Sequence, residues 1–67
     1  MTNTCKLEAL IKESGYTKKH IAKSLQISDQ SLYNKINNTT EFTQSEIASL
    51  MSLLSIPLHE MRVIFFN

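Results

Sequence analysis

TKKHIAKSLQISDQSLYNKINN, residues 17–38, has the spacing of two short helices joined by a tight turn. In its first half Ile21, Ala22 and Leu25 share a face; in its second half Leu32 and Ile36 do, at helical i, i+4 separation. The pattern predicts helices over about 18–25 and 29–37, with the turn at Gln26-Ile27-Ser28. Ala22 has no bulk, so another helix can cross closely there. Ile27 is placed to plug the angle between the two helices. Thr17 and Ser28 stand where a hydroxyl can accept from an unpaired N–H of the first helical turn. Two helices meeting at an open angle across so short a turn make a helix-turn-helix.

With Leu32 and Ile36 turned inward, Gln30, Asn34 and Asn37 point outward, and Ser31 and Tyr33 lie on the flanks. A helix face that only meets water usually carries Glu and Lys. This one carries uncharged amides, which can pair in bidentate fashion with the N6 and N7 edge of adenine in a DNA major groove. Asp29 suits the positive end of the helix dipole but would repel phosphate; cytosine N4 is the base donor it could accept from. Gln30, Asn34, Asp29 and Tyr33 are therefore the candidate base-reading residues.

Outward from this stretch, Leu7, Leu10, Ile11 and Ser14 mark a helix over about 4–14, capped by Asn3 or Thr4 and stopped by Gly15. Tyr16 falls at the joint. Beyond the reading helix, Asn37 and Asn38 tolerate left-handed backbone, and the loop 38–40 offers N–H and hydroxyl donors. Phe42 stands alone before a helix and is expected as a core plug. Thr43-Gln44-Ser45-Glu46 has the form of a capping box, predicting a helix over about 43–54 with Ile47, Leu50, Met51 and Leu54 inward. Pro57, at a first-turn position, predicts a last helix over about 57–65. Val63, Ile64, Phe65 and Phe66 are four consecutive apolar residues that one face cannot all bury, so they are the candidate protein interface.

The fold class expected is all-α, one domain over residues 1–67, near the lower size limit for an unstapled core. A single Cys excludes an internal disulfide, and nothing resembles a signal peptide or a membrane span, which points to a reduced, intracellular setting. The formal net charge of +1 is small for a nucleic-acid binder. Its distribution is not even. Residues 1–35 hold six Lys against Glu8, Glu13 and Asp29, or +3, whereas residues 36–67 hold Arg62 against Glu41, Glu46 and Glu60, or −2. The basic half contains the helix-turn-helix, as phosphate contact requires. Candidate phosphate contacts are Thr17, Lys18, Lys19, Lys23, Ser31, Lys35, Asn38 and Thr39. Lys18 and Lys19 oppose the dipole of their own helix, a local cost that a phosphate at the same helix end would offset.

The stretch GYTKKHIAKSLQISDQSL, followed by SLYNKINNTTEFTQSEI and ending in IFF, resembles the lambda-repressor-like family of phage Cro and CI proteins and their bacterial XRE relatives. It is similar to a subgroup of small Cro-like regulators from temperate phages of Gram-positive bacteria, which includes modulator-of-repression proteins that also bind the phage CI repressor. The resemblance spans about residues 7–66. It implies a five-helix domain, Lys18 at a phosphate-contacting helix start, Gln30 and Asn34 as base readers, and the host cytoplasm as location. Two positions depart from the family pattern: Gln26 stands where most members have Gly, and Lys35 occupies a usually apolar site.

Two function classes are expected from this. The first is a Cro-like transcriptional regulator that binds double-stranded operator DNA, as a homodimer, in a lysis/lysogeny switch. The alternative is an antirepressor that acts by contact with a CI-type repressor, with weak or joint DNA binding. Enzymatic chemistry has no support: Cys5, His20 and His59 lack metal-ligand spacing, and there is no Gly-rich phosphate loop and no nucleophile–base grouping. No cofactor, membrane or small-molecule substrate is expected.

Overall fold

In the computed structural model, which describes residues 1–66, the chain forms five helices and, among those residues, no strand. They are α1 (Thr4–Ser14), α2 (Lys18–Leu25), α3 (Asp29–Ile36), α4 (Gln44–Leu54) and α5 (Leu58–Phe65). The expected spans are met to within one residue at each end. Pro57 is the informative difference. Its φ of −67° would suit a first helical turn, but ψ of 153° leaves it extended and outside α5.

Four helix starts are set by side chains that accept from the first turn. Asn3 accepts from Lys6 N–H at 3.2 Å, Thr17 from His20 at 3.1 Å, and Ser28 from Ser31 at 3.0 Å. Thr43 accepts from Glu46 at 3.2 Å while Glu46 accepts back from Thr43 N–H at 2.9 Å, completing the capping box. Helix ends are set by left-handed residues: Gly15, Gln26 and Ser55 at φ of 78°, 60° and 54°. Asn38 is left-handed as well, at 66°, whereas Asn37, expected to share that ability, has φ of −92°. Gln26 and Ser55 hold this conformation against the clash of their own Cβ. Gln26→Gly should therefore raise stability by up to about 1 kcal/mol, read as a higher denaturant midpoint at unchanged slope.

All the apolar residues named for the inward faces of residues 17–38 are buried: Ile21, Ala22 and Leu25 from α2, Leu32 and Ile36 from α3. Leu7 and Ile11 of α1, Leu50 of α4, Ile56, and Ile64 and Phe65 of α5 complete one core. Each helix contributes at most three of these, so none could bury its face alone. Ile27 and Phe42 pack against the core from the two loops, and Phe42 meets Phe65 edge-on at 5.6 Å. α2 lies mainly on α3 and α4, while α1 touches α3, α4 and α5. The radius of gyration is 10.5 Å, close to the roughly 11 Å of a compact domain of this length.

The terminal apolar run divides in a way its sequence did not show. Ile64 and Phe65 are core residues, 0% and 4% exposed, so they are not available as an interface. Val63, at 42%, points outward, and Phe66, at 64%, follows the helix end. The reason is rotation: at 100° per residue Ile64 and Phe65 stay within reach of the core and Val63 does not. Among the described residues no helix is long and apolar enough to cross a membrane.

Candidate nucleic-acid interface

The turn at residues 26–28 fixes how α3 stands on α2. Gln26 N–H donates to Lys23 carbonyl at 3.1 Å and Ile27 N–H to Ala22 carbonyl at 3.0 Å, closing the end of α2. Ser28 then starts α3 directly. With Leu32 and Ile36 anchored below, the opposite side of α3 is left to Gln30, Tyr33, Asn34 and Asn37. Gln30 and Tyr33 are exposed and Asn34 half-buried. Gln30 Nε2 donates to Asn34 Oδ1 at 3.1 Å, so the two amides lie side by side one helical turn apart. Asn37 folds back, its Nδ2 donating to Tyr33 carbonyl at 2.9 Å. Asp29 is exposed at the start of α3.

The cations divide into two groups. Lys19 and Lys23, both exposed, make no ion pair among the described residues. Lys18 pairs with Glu8 at 2.9 Å, but both side chains are close to half exposed, and such a pair is weak enough to be exchanged for another anion. Lys35 is different. Its ammonium lies 2.9 Å from Glu46 and donates to Glu41 carbonyl at 3.1 Å, with only 12% of the side chain exposed. It clamps the end of α3 to the start of α4 and offers no free ammonium to a phosphate. Packed this way, a lysine serves at a position that would otherwise suit an apolar residue.

Glu46 carries both this pair and the α4 cap. Burial alone would raise its carboxyl; the Thr43 backbone N–H and the Lys35 ammonium outweigh burial and hold it below the ordinary glutamate range. A folded-state pKa below the unfolded one stabilises the fold above the unfolded value, and that contribution is lost as pH falls through the folded value. Wild type should thus lose stability between neutral and acidic pH more steeply than Glu46→Gln, as measured by denaturant midpoints.

The loop after α3 is also committed inward. Asn38 N–H donates to Lys35 carbonyl, and the N–H groups of Thr39 and Thr40 both donate to Asn34 carbonyl, at 2.8 and 3.3 Å. The Asn38 amide is bound to Thr2 by two hydrogen bonds of 2.9 Å. Asn38 is thus a structural contact within the chain, and the loop's expected N–H donors are already paired. The exposed Thr39 and Thr40 retain their hydroxyls. Thr17 keeps its hydroxyl proton while its oxygen caps α2, and Ser31 is half-buried on the flank of α3.

A family model matches residues 3–67, from the cap of α1 through all five helices. The chain belongs to the DUF739 family, described as proteins of unknown function. No curated protein and no solved structure matches it.

In this DUF739 member two contacts had no signal in the sequence, because their partners lie far apart: Lys35 with Glu46, and Asn38 with Thr2. A third did. Tyr16 and His20, at i, i+4, stack with ring centroids 5.0 Å apart at the entry to α2, beside Lys19 and Lys23. Among the described residues no group of three or more His, Cys, Asp or Glu is placed to hold a metal ion, and Cys5 is an exposed free thiol.

Proposed function

We propose that this protein is a DNA-binding transcriptional regulator of Cro type, with α2 and α3 as a lambda-repressor-like helix-turn-helix and α3 as the helix that enters the major groove. One observation carries this: the coupled amides of Gln30 and Asn34 form the outward face of a helix anchored from behind by Leu32 and Ile36. Amides supply both a donor and an acceptor, the combination that distinguishes adenine from the other bases. Lys19 and Lys23, with Lys18 once released from Glu8, supply the phosphate contacts, joined by the hydroxyls of Thr17, Ser31 and Thr39. Asp29 and Tyr33 border the base-reading pair. A symmetric dimer would present two copies of α3 about 34 Å apart, on successive turns of operator DNA.

The test is fluorescence anisotropy with labelled duplexes across a salt series. Affinity should fall with a log–log slope of about −0.9 per phosphate neutralised. Lys19→Gln and Lys23→Gln should each reduce that slope by about 1. Lys35→Gln should leave the slope unchanged, since its ammonium belongs to Glu46.

A second reading has its own observation. Phe66, 64% exposed, lines a groove with Ile47, Ala48, Met51 and Met61. That apolar surface favours a protein contact, such as an antirepressor docking on a CI-type repressor. A gel shift with the protein alone and with such a repressor separates the two. Binding alone supports DNA reading, and binding only in the partner's presence supports the antirepressor.

A further inference from the structure

Residues 2–4 run between two helix ends and bond alternately to each. Thr2 N–H donates to Asn38 Oδ1 at 2.9 Å, and Asn38 Nδ2 donates to Thr2 carbonyl at 2.9 Å. A neighbouring strand would normally make this pair of bonds, and here one side chain supplies both. Asn3 N–H then donates to the carbonyl of Ile64, in the last turn of α5, at 2.5 Å. Thr4 Oγ1 donates to the carbonyl of Ile36, at the end of α3, at 2.6 Å. Both carbonyls lie in the last turn of a helix, where no intrahelical N–H reaches them.

Packing does little to hold this segment. Thr2, Asn3 and Thr4 are polar, Met1 is exposed, and a cleft of about 110 Å³ remains among Thr2, Phe42, Phe65 and Phe66. Polar contacts at its two ends hold it in place, and those at the α3 end centre on Asn38. We propose that residues 2–4 are a tie that makes the loop after α3 and the last turn of α5 open and close as one unit. A change at the end of α5 is thereby felt at residues 37–40, and a ligand along α3 is felt at α5. Asn38 is a positioning residue in this device. Only the bearing of the tie on DNA rests on the regulator reading above.

Amide hydrogen exchange followed by NMR tests the tie, using Asn38→Gly, which keeps the left-handed backbone at no steric cost. The informative probe is Asn3 N–H, because its acceptor Ile64 is untouched by the substitution. Asn3 exchange should accelerate about tenfold or more, the equivalent of losing one to two hydrogen bonds, while the amides of Ile11 and Leu50 stay protected. Thr4→Val, which removes the bond to Ile36 without changing side-chain shape, should accelerate Asn3 in the same way. Unchanged Asn3 exchange in both variants would mean that the two ends are held independently, and the tie would be overturned. In wild type, a bound DNA duplex should slow Asn3 exchange. A duplex that binds without this effect overturns the coupling, whereas failure of any duplex to bind counts against the regulator reading and leaves the free-protein result to decide the tie.

Discussion

Replacing Gln30 and Asn34 together with Ala should abolish discrimination between preferred and random duplexes while leaving the domain folded. Each good bidentate amide–base pair is worth about 1–3 kcal/mol, so either single variant should lose roughly 10- to 100-fold on the preferred site. Because Gln30 Nε2 is bonded to Asn34 Oδ1, each amide orients the other, and the two losses should not be additive. Alanine is a better helix former than either residue, and an i, i+4 amide contact contributes only about 0.2–0.5 kcal/mol to the helix. Thermal stability should therefore hardly change. Non-specific affinity, which depends on the lysines, should persist with its salt slope intact. Binding-site competition by anisotropy, alongside a melting curve for each variant, checks this.

Ile64→Ala and Val63→Ala should differ sharply although the residues are neighbours. Ile64 is fully buried, and its truncation removes apolar contact and leaves a cavity, at a cost of about 2–5 kcal/mol. A domain of this length has a total stability on the order of 3–10 kcal/mol, so that loss should unfold much of the population or bring the melting point down by tens of degrees. Val63, facing solvent, should cost within about 0.5 kcal/mol. Equal effects at the two positions would mean that α5 is rotated from the orientation described. Chemical denaturation of both variants decides between these outcomes.

The helices themselves were legible because their signals are local. Ser28, Thr17 and the Thr43–Glu46 box each act within three residues, and the i, i+4 spacing of Leu32 and Ile36 identifies the buried side of α3 without any knowledge of its neighbours. The left-handed Gln26 was indicated only by the resemblance, in which most members carry Gly at that position. What escaped was set by distant partners. Nothing near Lys35 indicates that its charge will be drawn into a buried pair with Glu46, and nothing near Asn38 indicates Thr2, which is 36 residues away. The four apolar residues at 63–66 show the same limit: their composition says that some must be exposed, but only the rotation of α5 says that Val63 is, and only the end of α5 at Phe65 leaves Phe66 outside it.

The outward face of α3 is also where local inference and tertiary structure agree on residues and differ on supporting contacts. Gln30, Asn34, Asp29 and Tyr33 share one accessible region, as the helical spacing requires. The candidate phosphate set contracts, since Lys35 and Asn38 are bonded within the chain. Lys19 and Lys23, at the start and end of α2, are the exposed lysines of that set with no ion pair among the described residues. Of the six lysines in the basic half, Lys18 and Lys35 are paired with carboxylates.

The most direct measurement is an NMR titration of the protein with a short DNA duplex, following the side-chain amide resonances of Gln30 and Asn34. The expected result is that these two resonances shift most, with the backbone of α3 and residues around Lys19 and Lys23, and little change at residues 58–66. Shifts confined to α5 and the groove beside Phe66, or none on adding duplex, would contradict the assignment of α3 as the helix that reads DNA.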